Sequence, residues 1–127
     1  MNVLQVNKFY YPEVGGIEHV VQNIAEGLSK SYQTHVLAAR PKGLGGIERH
    51  NGVSIKKASS VGVGMSVPLA PTFPLQLWAE SRDVDIVHHH LPNPLSTVSQ
   101  LTVGTGDSTV IATYHSDIVR QAAAAKI

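Results

Sequence analysis

Cysteine is absent from the 127 residues, which removes disulfides, cysteine-ligated zinc and thiol nucleophiles together. Charge is also scarce. Only 15% of residues are Asp, Glu, Lys or Arg, and the formal net charge is +1, so nothing in the electrostatics favours a nucleic acid partner. No stretch reaches the roughly 18–20 apolar residues of a membrane span. The opening Met1-Asn2-Val3-Leu4-Gln5-Val6 lacks the basic segment and apolar core of a signal peptide. Neither an internal repeat nor a long low-complexity tract occurs, and neither does a Walker loop, a G-x-G-x-x-G fingerprint or a G-x-S-x-G elbow. What remains is 43% hydrophobic residues, enough to build the core of one compact domain. The expectation is a soluble, cytoplasmic domain in a reducing compartment.

The order of apolar patterns predicts the fold. Val3–Val6 is a short apolar run of the kind buried parallel strands show. After a loop through Gly15-Gly16, the apolar residues Ile17, Val20, Val21, Ile24, Ala25 and Leu28 recur three and four apart and mark one face of a helix. Thr34–Ala39 is the second strand, which makes a right-handed strand–helix–strand unit. Gly43–Gly46 reads as loop. Asn51-Gly52 between two short strand-like runs signals a hairpin, and the Gly, Ser and Pro of residues 59–71 read as a mobile connection. Helices are expected over Phe73–Arg82 and Asn93–Val103, the second capped by Asn93 with Pro94 at its first position. Strands are expected at Asp85–His88 and Thr109–Tyr114, and Ser116 or Asp117 would cap a last helix. Strands alternate with helices except at the one hairpin. The fold class is therefore α/β, an open, doubly wound, mainly parallel Rossmann-like sheet with a hairpin insertion around Asn51-Gly52.

In such sheets ligands bind beyond the carboxyl ends of the strands, and three segments leave strands there with unusual content: Tyr10–Glu18, His88–Asn93 and His115–Asp117. Gly15-Gly16 directly before a helix would let backbone N–H groups approach a phosphate; a turn needing positive φ is the alternative. Glu18 in the first helical turn either complements the helix dipole or binds a sugar hydroxyl. Period-two alternation places His88 and His90 on one face and His89 on the other, which makes facial metal coordination awkward and favours a polar cleft lining. Asp83-Val84-Asp85 precedes an apolar strand instead of ending one, so it reads as a helix-to-strand turn. The apolar set Val67, Leu69, Phe73, Leu75, Leu77 and Trp78 is expected to join the core, with a membrane-surface role as the competing reading.

Four segments occur in order: Tyr11-Pro12-Glu13-Val14-Gly15-Gly16-Ile17-Glu18, Asn51-Gly52-Val53, Asp85-Ile86-Val87-His88-His89-His90 and Tyr114-His115-Ser116-Asp117. Together, over nearly the whole chain, they resemble the N-terminal domain of retaining glycosyltransferases of family 4, which have the two-Rossmann-domain GT-B fold. The resemblance implies a domain that binds the acceptor, a carbohydrate or lipid-linked molecule, while a missing C-terminal domain holds most of the nucleotide sugar. It implies that Gly15 and Gly16 meet the donor diphosphate and that His115 is the catalytic candidate beside the transferred sugar. Tyr11, Glu18, His88, His90 and Asp117 are implied as acceptor or sugar contacts. No metal and no cofactor beyond the nucleotide-sugar co-substrate is implied, and peripheral contact with the inner face of the membrane is compatible with it. The chain would then be a truncated half of the enzyme, inactive alone. Two other readings stand beside this one, a stand-alone module for a phosphorylated metabolite and an inert fragment associating through an open sheet edge.

Overall fold

A computed structural model describes residues 1–13, 15–64, 67–104 and 106–115. A six-stranded sheet carries β1 (Asn2–Val6), β2 (Gln33–Ala39), β3 (Gly46–His50), β4 (Val53–Ala58), β7 (Ile86–Leu91) and β8 (Thr109–Tyr114). Their spatial order is β3-β4-β2-β1-β7-β8. All neighbours pair in parallel except β3 with β4. With β3 set aside, the chain winds outward from β1 in one direction and then restarts at β7 in the other, as a doubly wound sheet does. The expected class is what the structure shows.

Parity sorts the core into two layers. Helix α1 (Gly16–Leu28) covers one face, and there Ile17, Val21 and Ala25 pack with Val36, Ala38, Val53 and Ile55. Val20 lies at the margin of the helical stripe and is half exposed. On the opposite face Leu4, Val6, Leu37, Ala39, Ala58 and Val87 meet Phe73 and Leu77 of α2 (Phe73–Ser81), with Leu95 and Val103 of α3 (Pro94–Val103) alongside. Burying each fully enclosed Val, Leu, Ile or Phe side chain contributes about 1.5–3 kcal/mol.

Local chemistry sets several boundaries where it was expected to. Asn51 and Gly52 take φ of 50° and 81°, the left-handed pair that matches hairpin twist. Asn93 accepts a hydrogen bond from the Ser96 backbone N–H and Pro94 opens α3. Asp85 accepts from the Asn2 backbone N–H at 2.8 Å, and Asp83 offers its carbonyl to the Asn2 amide, so this pair ties the sheet's amino edge.

Four expectations need correction. The hairpin of β3 with β4 is the expected exception to the alternation of strands and helices, but it is not alone: a second hairpin, β5 (Val63–Gly64) with β6 (Val67–Pro68), precedes α2. That hairpin lies inside residues 59–71, where Ser60 Oγ bonds the Gly62 N–H and carbonyl, the Val61 N–H donates to the Leu69 carbonyl and the Leu69 N–H donates to the Gly62 carbonyl. Composition rich in turn formers gave no sign of pairing so brief. Strand β7 runs on to Leu91, so His89 and His90 are, like His88, strand residues rather than loop residues. Pairing with β1 as far as His89 and with β8 as far as Leu91 holds their backbone whatever their propensity. Finally, the apolar set divides: Phe73 and Leu77 are buried, whereas Leu69, Leu75 and Trp78 are 50%, 68% and 46% exposed, because α2 turns only one side to the sheet. The side chain of Val67 and the expected helix after His115 fall outside the described residues. Among those described, no helix is long and apolar enough to cross a membrane.

Candidate active site

The connection from β1 leads through α1 to β2, while β7 lies on the other flank of β1. Between the carboxyl ends of β1 and β7 the direction of winding reverses, and a crevice opens at such a point. Helix α1 begins at this edge, and on the face it covers the residues sharing parity are Gln5 of β1, His88 and His90 of β7 and Thr113 of β8.

These side chains form a continuous polar array. His90 Nε2 lies 2.5 Å from Gln5 Oε1, and His90 Nδ1 lies 2.8 Å from His115 Nε2. The His88 ring sits 4.2 Å from that of His90, and its Nε2 is 2.7 Å from Thr113 Oγ1. His115 follows β8 directly and is kept in register by donating its backbone N–H to the Leu91 carbonyl at 2.9 Å. His89, of opposite parity, turns to the other face and meets Gln100 Oε1 of α3 at 2.7 Å. The predicted split of the three histidines is therefore realised. Among the described residues, no group of three or more His, Cys, Asp or Glu side chains is arranged to hold a metal ion.

Burial sets the charge of the array. His90 is 1% exposed, and desolvation, with the neighbouring His88 and His115, pushes its imidazole down to about 3. Burial followed by His115 and His89 lowers His88 as well. A neutral imidazole has one N–H and one lone pair. With the Gln5 oxygen accepting from His90 Nε2–H, His90 Nδ1 is left to accept from His115 Nε2–H. The array thus has one direction, running from His115 through His90 to Gln5.

The glycine segment reaches the same edge by another route. Neither Gly15 nor Gly16 has positive φ. Gly15 is extended at φ −179°, so the turn reading is set aside. A Cβ on Gly16 would meet nothing within 4 Å, whereas one on Gly15 would press on the Glu18 carboxylate. Glu18 therefore lies folded against the start of α1, and the N–H groups of this first turn are outside the helical ladder. An open helix start with backbone accessible at Gly16 suits an anion.

Tyr11 is placed elsewhere. Its ring stacks on His50 of β3 at 4.2 Å and 11°. Four strand spacings separate β3 from β7, roughly 19 Å, so the structure does not bring Tyr11 to the histidines. The Tyr11 carbonyl accepts from Lys57 Nζ at 2.6 Å, and the same ammonium, 1% exposed, meets Glu48 at 3.1 Å and Glu13 at 3.4 Å. Asp117 lies outside the described residues. A polar cavity of about 500 Å³ lined by residues such as Ser31, Gln33, Arg49 and Ser54 is at the opposite, amino edge of the sheet.

Sequence reading missed two members of this architecture. Gln5 looks like an interruption in an apolar strand. Lys57 drew no attention in the sequence, although it continues the inward parity of Val53 and Ile55. Parity was the available signal for both.

Comparison with known proteins supplies the context. The chain is 31% identical over 126 residues to the O-antigen chain mannosyltransferase C of Escherichia coli, covering 95% of this chain and 33% of that protein. It is likewise 31% identical over 128 residues to the D-rhamnosyltransferase WbpZ of Pseudomonas aeruginosa, with 95% and 32% covered. The chain thus spans about a third of the length of these curated relatives. The sequence profile described as Glycosyltransferase Family 4 matches residues 14–126, from the glycine segment through the histidine array and beyond, and the chain belongs to that family.

Proposed function

We propose that this chain is the N-terminal, acceptor-side wall of a glycosyltransferase cleft, in an enzyme that moves a sugar from a nucleotide-sugar donor to a carbohydrate or lipid-linked acceptor with retention. The observation carrying this reading is the hydrogen-bonded array His115–His90–Gln5 at the same sheet edge and face as the start of α1. The helix start suits the donor diphosphate, with Gly16 giving it backbone access. His115 stands at the end of the array, where its remaining ring nitrogen would meet a sugar hydroxyl. His88 and Thr113 extend the polar lining toward β8. Glu18 would have to swing off Gly15 as the diphosphate arrives, since two anions at one helix start repel.

The names of the two relatives, a mannosyltransferase and a rhamnosyltransferase, support a deoxyhexose or hexose donor. A second wall would carry the rest of the nucleotide, so the isolated chain transfers nothing. The test compares the full-length enzyme containing this chain with the 127-residue chain over a panel of nucleotide sugars. The expected result is product only from the full-length enzyme, with the donor's anomeric configuration kept in the product's proton spectrum. Turnover by the short chain, or an inverted product, would sink the proposal.

A further inference from the structure

Every polar atom of the His90 ring is committed: Nε2 to Gln5 Oε1 and Nδ1 to His115 Nε2. Burial of a residue this polar in the sheet is costly without such partners, and the ring is too enclosed, at 1% exposure, to touch a substrate itself. Gln5 is also fully buried, in the central strand and amid Leu4 and Val6, where a leucine would pack with no polar group to satisfy. Two buried polar residues on adjacent strands, aimed at one another and then at His115, make a support rather than a binding surface. His88 and Thr113 flank the support and leave both ends of His90 unshared.

We propose that His90, oriented by Gln5, is a positioning residue that holds His115 by its Nε2–H and so leaves His115 Nδ1 as the ring atom that meets the sugar hydroxyl. The inference rests on the reading of His115 as a sugar contact and adds what fixes it. A ring held this way offers an acceptor to a hydroxyl from one defined atom. Left unheld, the imidazole would rotate about its side-chain bonds and present either nitrogen.

Amide side chains separate this role from packing. Asparagine at position 90 keeps an acceptor at the δ atom, where His115 needs it, and loses the ε contact to Gln5. Glutamine keeps the ε contact and loses the δ acceptor. In the full-length enzyme, His90→Asn is expected to retain most turnover, while His90→Gln and His90→Leu lose about 10²-fold in kcat with KM little changed. Equal losses in the Asn and Gln variants would overturn the proposal. In the 127-residue chain labelled with ¹⁵N, the coupling across the His115–His90 hydrogen bond should show the proton on His115 Nε2. A proton on His90 Nδ1, or no coupling, would also overturn it. Absence of sugar transfer by the wild-type enzyme counts against the functional reading alone, and the spectrum then decides the placement by itself.

Discussion

His90 and Gln5 are 85 residues apart in sequence, yet their side chains meet at 2.5 Å within the sheet interior. Parallel pairing of β1 with β7 matches Gln5 to His88, and His90, two residues on, points to the same face one step nearer the carboxyl edge. The glutamine thus reaches along the strand direction to the next histidine of its own parity. Among the described residues its Nε2 has no hydrogen-bond partner, so its oxygen makes the contact that matters.

Replacing Gln5 by leucine removes that oxygen and strands the His90 Nε2–H in an apolar setting. An orphaned buried donor costs about 1–3 kcal/mol, and the leucine's added packing does not restore a partner. Urea unfolding of Gln5→Leu should show a stability lower by that amount, read as a lower midpoint with an unchanged slope. A midpoint equal to wild type would mean the contact contributes nothing.

Stability should fall as the solution is acidified. The folded His90 is pushed down to about 3, below the ordinary value near 6.5 for an unfolded histidine. Between these values the unfolded chain binds a proton that the folded chain does not, so stability increases with pH through the window and is lost as pH drops. The slope from one such group approaches about 1.4 kcal/mol per pH unit, and His88 and His89, both lowered chiefly by burial, act in the same direction. Denaturation series from pH 7 down to pH 4 should show this loss, and His90→Asn should reduce its slope. A flat profile would contradict the neutral, buried assignment.

The ion cluster at Lys57 should respond asymmetrically. The ammonium is the buried member, whereas the Glu13 and Glu48 side chains are 25% and 44% exposed. Removing the cation in Lys57→Met frees carboxylates that water can solvate, and the thioether fills much of the space. Removing both anions in a Glu13→Gln, Glu48→Gln double variant leaves a buried charge supported by the Tyr11 carbonyl and weaker dipoles. The double variant should lose about 3–5 kcal/mol and Lys57→Met clearly less. The reverse order in thermal or urea unfolding would show that the pairing, not the burial, dominates.

How far the sequence was legible follows from the range of each interaction. Asn51-Gly52 and Asn93-Pro94 act within a few residues, so turn and cap chemistry identified them directly. The split of His88 and His90 from His89 followed from strand parity, and the sheet class from the succession of elements. What parity does not encode is which strand lies alongside. Gln5 therefore passed unmarked inside the apolar run of β1, and β7 itself was read too short because its last residues, His90 and Leu91, are held in the strand by pairing with β8. Tyr11 illustrates the same limit: its segment matches the family pattern, but a backbone contact to Lys57 and a stack on His50 carry it toward β3.

Three glycines predict a separation between stability and function. At Gly45 an added Cβ would fall 1.9 Å from the Lys57 carbonyl oxygen and 2.7 Å from the Ser59 backbone nitrogen. Backbone cannot give way cheaply, so Gly45→Ala should cost about 1–3 kcal/mol or more. At Gly15 the obstacle is the Glu18 carboxylate, the far end of a flexible side chain, which can rotate aside; Gly15→Ala should change stability little. At Gly16 nothing lies within 4 Å, and alanine in the first helical turn should stabilise by about 0.5–1 kcal/mol. If the open start of α1 receives the donor diphosphate, that same methyl group occupies the approach and weakens donor binding by about tenfold, near 1.4 kcal/mol. Gly16→Ala would then be more stable and less able to use donor. Melting temperature and donor KM measured on the full-length enzyme check both halves: a stabilised variant with an unchanged donor KM would place the diphosphate away from this helix.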